Sequence, residues 1–96
     1  MTSFRPTKIQ QFALEAKLNR FFGANLYDRL FSGFEIVEVV DDQLRAWSPS
    51  EQCAAIIDMQ YAAKVAWIAQ TVFHRPIRLV SVLARGMSHN TSEQPV

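Results

Sequence analysis

Thiols are nearly absent: Cys53 is the one cysteine in the chain. That excludes an internal disulfide framework and a zinc site built on cysteines. Charge of one sign is missing too. Ten Lys and Arg stand against nine Asp and Glu, a net charge of +1, so there is neither a polybasic nucleic-acid arm nor an acidic tail. Apolar runs are only a few residues long, which excludes a membrane-spanning segment. The first dozen residues lack the apolar core of a signal peptide, and a cytoplasmic location is expected. Phosphate-binding glycine loops are lacking, both G-x-G-x-x-G and Walker A. So are the G-x-x-G loop of nucleic-acid-binding KH domains and an aromatic run for stacking bases. Two histidines, one cysteine and scattered carboxylates assemble no acid–base pair, activated nucleophile or metal cluster. No enzymatic activity, cofactor or metal is expected.

What is present is globular. The chain is 49% hydrophobic and 20% charged over 96 residues, enough for one domain with a modest core burying roughly 60–65% of its unfolded surface. Its three glycines and four prolines all fall where elements begin or end. Pro6 precedes a helix over residues 7–22, which Gly23 closes. Ile9, Phe12, Ala13 and Ala16 form one apolar row of that helix, and Leu14, Leu18, Phe21 and Phe22 a second. Lys8, Gln11, Glu15 and Lys17 leave only a narrow solvated side, so part of the apolar surface is free for a partner. A short helix follows, with Asn25 as N-cap and Leu26, Tyr27, Leu30 and Phe31 as its apolar side, ending at Gly33.

Residues 34–40 are rich in β-branched side chains and read as a strand. A turn at Asp41-Asp42-Gln43 leads to a second strand over 44–47, making a hairpin. Ser48, Pro49 and Glu51 have the spacing of a capping box with proline at the first helical position. The helix they start runs to His74, before Pro76, with Cys53, Ile57, Tyr61, Val65, Ile68 and Val72 on one apolar stripe. Tyr61 and Trp67 read as core. Residues 76–83 form the last strand. The order is α-α-β-β-α-β: an α+β domain with a three-stranded sheet, helices on one face, and the second and third strands parallel through a right-handed crossover. An N-terminal arm (1–6), a domain (7–85) and a tail or linker start (86–96) divide the chain.

Candidate sites are few. His74 suits a helix C-terminus, His89 lies in the tail, Cys53 reads as a buried structural thiol, and Asp41-Asp42 is a solvated turn. Charge is distributed unevenly. Arg5, Lys8, Lys17 and Arg20 lie in or beside the first helix with only Glu15 against them, while Glu35, Glu38, Asp41 and Asp42 crowd the first strand and its turn. Such polarity steers association with a complementary partner, a second copy included, although ordinary solvated faces give the same pattern. Ile9 and Phe12 are the candidates for self-association. As a KH-like single-stranded nucleic-acid module, the chain would instead use Arg45, Lys64, Arg75 and Arg78 on phosphates. Salt separates the two, because phosphate binding weakens steeply with added salt.

The segment Leu30-Phe31-Ser32-Gly33-Phe34, the strand ending Leu44-Arg45-Ala46-Trp47-Ser48-Pro49, and Tyr61 about a dozen residues into the following helix resemble, in order and spacing, the N-terminal domain (domain I) of the bacterial replication initiator DnaA. The resemblance covers roughly residues 7–83. It implies a KH-like ααββαβ fold without the G-x-x-G loop. It also implies a non-enzymatic adaptor role in DNA replication initiation: self-association through the first helix, recruitment of the replicative helicase, docking of an initiator or regulator, and at most weak binding of single-stranded DNA. Where that family contacts the helicase with a glutamate and a phenylalanine, this chain has Leu26 and Gln52; at the family's usual tryptophan it has Leu30. Leu26, Arg29 and Gln52 are therefore the candidates for a second partner. The DciA family carries a similar helicase-loading domain. The resemblance fits either a domain whose tail opens a linker or a stand-alone relative from a plasmid, phage or other mobile element.

Overall fold

The computed structural model describes residues 3–84; the expected tail with Gly86, His89 and Pro95, and the end of the domain at residue 85, lie outside them. Helix α1 (Lys8–Phe22) starts where local chemistry says it should. Thr7 Oγ1 accepts from the Gln10 N–H at 3.1 Å while Gln10 Oε1 accepts from the Thr7 N–H at 2.9 Å, a complete capping box. Gly23 ends it at φ 87°, donating its N–H to the Asn19 carbonyl at 2.8 Å. The next helix, α2 (Ala24–Leu26), begins at once and widens into a π-helical turn, Tyr27–Phe31. Its cap is Gly23, whose carbonyl accepts from the Tyr27 N–H at 2.9 Å, so Asn25, expected as N-cap, lies inside the helix. A glycine at positive φ reverses the chain so sharply that no spacer is needed.

The sheet has four strands, not the three expected. β1 (Ser3–Phe4), β2 (Glu35–Val40), β3 (Gln43–Ser48) and β4 (Leu79–Ala84) stand in that order. The extra strand comes from the N-terminal arm, where Ser3 and Phe4 pair antiparallel with Val40 and Val39. Two residues hold no alternation to read from sequence; tertiary contact holds them instead. The Phe4 ring meets Phe73 edge-on at 5.5 Å, and the Arg75 guanidinium lies 4.5 Å from its centroid. β2 and β3 form the expected hairpin around Asp41 and Asp42, with Asp41 at φ 54°. β3 and β4 run parallel, the outcome required of a strand–helix–strand crossover. A bulge between Ile36 and Glu38 lets Ile36 and Val39, three apart, both face the core. β4 starts later than residue 76 because the Asp42 carbonyl accepts from the N–H groups of both Arg78 and Leu79 (2.8 and 3.2 Å), which holds the approach to the strand.

Three other expectations change at the helices. Ser48 does not cap: it is the last rung of β3, paired with Ala84 and fully buried, and its hydroxyl has no partner among the described residues. The cap is Ser50, whose Oγ accepts from the Cys53 N–H at 3.1 Å. Parallel pairing extends the strand past Trp47 and leaves Pro49 in the link. The long helix is also not uniform. It comprises α3 (Glu51–Ile56), a π-helical turn (Ile57–Tyr61) and α4 (Ala62–Phe73), with Tyr61 at φ −122°, ψ 1°. His74 ends it in the left-handed conformation at φ 56°. Finally, Gln11 is not on the solvated side of α1. Its amide donates to the Phe34 carbonyl (3.1 Å) and accepts from the Ile36 N–H (3.1 Å), serving the start of β2.

α1 packs on α4, and α3 and α4 pack on β4. Leu14, Leu18, Phe31, Val39, Leu44, Ile57 and Val65 are completely enclosed. Gly33, at φ 83°, closes the turn into β2 so tightly that a Cβ there would meet Pro49 Cγ at 2.6 Å.

Candidate interaction surfaces

The outward side of α1 is built by its periodicity. The core takes Leu14 and Leu18, so the residues half a turn away must face out. Ile9 is 79% exposed and Phe12 62%, and Ala13 and Ala16 beside them are exposed too. The two candidates for self-association therefore lie together on a bare apolar stripe whose small residues let another helix come close.

The second set is partly gathered. Arg29, in the first π-helical turn, and Gln52, in α3, are both exposed. Their elements are joined where the Cys53 thiol donates to the Arg29 carbonyl at 3.3 Å. Leu26 is drawn inward and packs against the core.

The cations read as phosphate ligands are dispersed, and each has a local partner. Arg45 pairs with Glu38 at 3.1 Å and Arg78 with Asp42 at 3.7 Å. Arg75 covers Phe4, and the Lys64 ammonium lies 5.7 Å from the centroid of the Phe21 ring.

Trp67, expected in the core, is 58% exposed. It faces Phe21 across the α1–α4 seam, ring centroids 6.1 Å apart and tilted by 57°. Tyr61 does pack inward, edge-on to Phe22 at 5.3 Å. A groove of about 460 Å³ runs along the seam, lined by Lys17, Arg20, Phe21, Trp67, Ile68 and Thr71. Lys17 Nζ donates to Thr71 Oγ1 at 3.0 Å, and the Thr71 hydroxyl donates to the Ile68 carbonyl at 2.6 Å. The sequence held the signal for this surface: Trp67 is three residues from Lys64 and four from Thr71, on the polar side of α4. Beyond Arg20 a second cleft continues toward Phe12, Glu15 and Tyr27. Burial there, and then the carboxylates of Glu15 and Asp28, raise the Tyr27 phenol above its ordinary pKa of 10.0.

Among the described residues no three His, Cys, Asp or Glu side chains gather into a group that could hold a metal ion. No helix among them is long and apolar enough to cross a membrane. Compared with protein-family models and with curated proteins, the chain matches none.

Proposed function

We propose that this domain is a non-enzymatic adaptor of DNA replication initiation, acting in the cytoplasm and working by binding proteins. It self-associates weakly through Ile9 and Phe12, and presents Arg29 and Gln52, with Leu26 behind them, to a helicase, initiator or regulator. The fold reading that goes with it is a KH-like ααββαβ core without the G-x-x-G loop, to which β1 is an addition. One observation carries the proposal: the stripe Ile9, Phe12, Ala13 and Ala16 is left bare by a fold that has already filled its core from the other side of the same helix. A monomer gains nothing from exposing two large apolar side chains one turn apart, whereas an interface between helices uses them as anchors. A specific dimer needs on the order of 1,000 Å² buried, so one helix face supports a transient pair. The resemblance to DnaA domain I supplies the replication setting. The alternative, single-stranded nucleic-acid binding through Arg45, Lys64, Arg75 and Arg78, draws no support: Arg45 and Arg78 are paired with Glu38 and Asp42, and Arg75 covers Phe4.

Sedimentation over a range of concentrations tests the reading. The wild-type mass should rise with concentration, and Phe12→Asp should stay monomeric with an unchanged melting temperature. A wild type that remains monomeric at every concentration overturns self-association, and a Phe12→Asp that unfolds makes Phe12 a structural residue.

A further inference from the structure

We propose that the α1–α4 seam is a docking groove for an acidic amphipathic helix of another protein, with Trp67 and Phe21 as its apolar floor and Lys17, Arg20 and Lys64 as its charged rim. The inference rests on the reading that the chain works by binding proteins, but uses the seam beside the self-association stripe, which it meets at Arg20.

Chemistry names the occupant. The floor is two aromatic rings and Ile68, so the guest brings apolar side chains. The rim is cationic throughout: α1 and α4 together carry Lys8, Lys17, Arg20 and Lys64 against Glu15 alone. Glu15 is turned to the other side of α1, where it accepts from the Gln11 amide at 2.7 Å. An anionic guest is therefore attracted with no carboxylate in the lining to repel it. At about 460 Å³ the groove lies within the ~300–1,000 Å³ range of ligand clefts. It follows the line between two packed helices, which is the shape that receives a third, read through anchors at i, i+3 and i+7.

Ring geometry decides between a peptide and a nucleic acid. Bases stack on open, flat ring faces. Here Phe21 and Trp67 meet at 57°, Phe22 stands edge-on to Phe21 at 5.0 Å, and the Lys64 ammonium lies above the Phe21 ring. The result is a notch that fits a leucine or phenylalanine side chain, not a platform.

The test uses the isotopically labelled full chain, dilute enough to remain monomeric. It follows the indole N–H of Trp67, with that of Trp47 on β3 as internal reference. Three probes are titrated: a designed helical peptide of about sixteen residues, long enough to hold helix, with Leu and Phe at i, i+3 and i+7 and Glu elsewhere; the same peptide with Lys for Glu; and an oligothymidylate of about fifteen nucleotides. The acidic peptide should shift Trp67 and leave Trp47 in place. The double variant Lys17→Glu, Arg20→Glu should keep its melting temperature and bind it about tenfold more weakly. An unmoved Trp67, or equal binding of the Lys peptide, overturns the inference. So does tighter binding of the oligothymidylate at Trp67, which would make the groove a nucleic-acid surface. Since Phe12 lies outside the groove, failure here with intact self-association removes the groove alone, and loss of self-association with Trp67 still responding removes the dimer alone.

Discussion

The α1–α4 face and the β2–β3 hairpin both carry cations, and they use them differently. In the hairpin region Arg45 meets the Glu38 carboxylate and Arg78 meets that of Asp42. The Asp42 carbonyl also holds the two N–H groups leading into β4. These charges are spent on keeping strands in register. On the helical face Lys17 finds only a hydroxyl, Lys64 only a ring, and Arg20 no ion-pair partner among the described residues. On the reading proposed above, cations left without counter-charge beside exposed aromatic rings are what a partner-binding surface offers, and charges matched within the chain are what it lacks.

The largest effect that sharpens this contrast lies within the helical face itself. Leu18→Ala should cost about 2–5 kcal/mol, because Leu18 is fully enclosed and its loss leaves a cavity. Trp67→Ala, a larger deletion on paper, should cost less than about 1 kcal/mol, since more than half of the side chain is already in water. Urea unfolding of both variants decides it; a Trp67→Ala as damaging as Leu18→Ala would place Trp67 in the core and remove the groove.

Next in size are the two serines that follow the hairpin. Ser50→Ala should lose about 1 kcal/mol with its cap. Ser48→Ala should be neutral or slightly stabilising, because it deletes a buried hydroxyl that makes no hydrogen bond among the described residues. Thermal melts of the pair in which Ser48→Ala is the weaker protein would return the cap to Ser48.

A smaller effect compares the charges directly. Glu38→Gln should cost up to about 1 kcal/mol at low salt, and less as salt screens the pair with Arg45. Arg20→Gln should leave stability within about 0.5 kcal/mol at any salt. Melting temperatures across a salt series that moved together in the two variants would erase the distinction between the regions.

The smallest effect appears in alkali. Burial, then Glu15 and Asp28, favour the neutral Tyr27 phenol in the folded state. Its contribution to stability is therefore fully present below pH 10 and is lost as pH rises through the higher folded value. Tyr27→Phe cannot ionise, so its melting temperature should fall less than the wild type's above pH 10. Identical alkaline profiles would show that Tyr27 ionises as freely in the fold as out of it.

How much of this was legible in the sequence follows the range of the forces involved. α1 was readable at both ends from Pro6 and Gly23, and the contacts that fix those ends, Thr7 with Gln10 and Gly23 with Asn19, act within four residues. The exposure of Ile9 and Phe12 was readable too, since a helix with Leu14 and Leu18 inside must turn its other side out. The groove was only half visible: Lys17 and Arg20 stood out as charge, but Trp67 was assigned to the core by its spacing on the helix when its neighbours Lys64 and Thr71 place it on the polar side.

By itself, then, the sequence determined the alternation of helices and strands, the hairpin at Asp41 and Asp42, the parallel crossover and the end of α4 before Pro76. Each of these follows from steric and hydrogen-bonding preferences that neighbouring residues impose on one another, together with the handedness of L-amino-acid chains. Only the tertiary structure decided which serine caps α3, because Ser48 is held in the strand by Ala84, 36 residues away. Only the tertiary structure made a strand of Ser3 and Phe4, through Phe73, and brought Phe21 to Trp67 across the seam. These contacts are specified by packing, which depends on what the rest of the chain brings to the same place and leaves no local mark in the residues that make them.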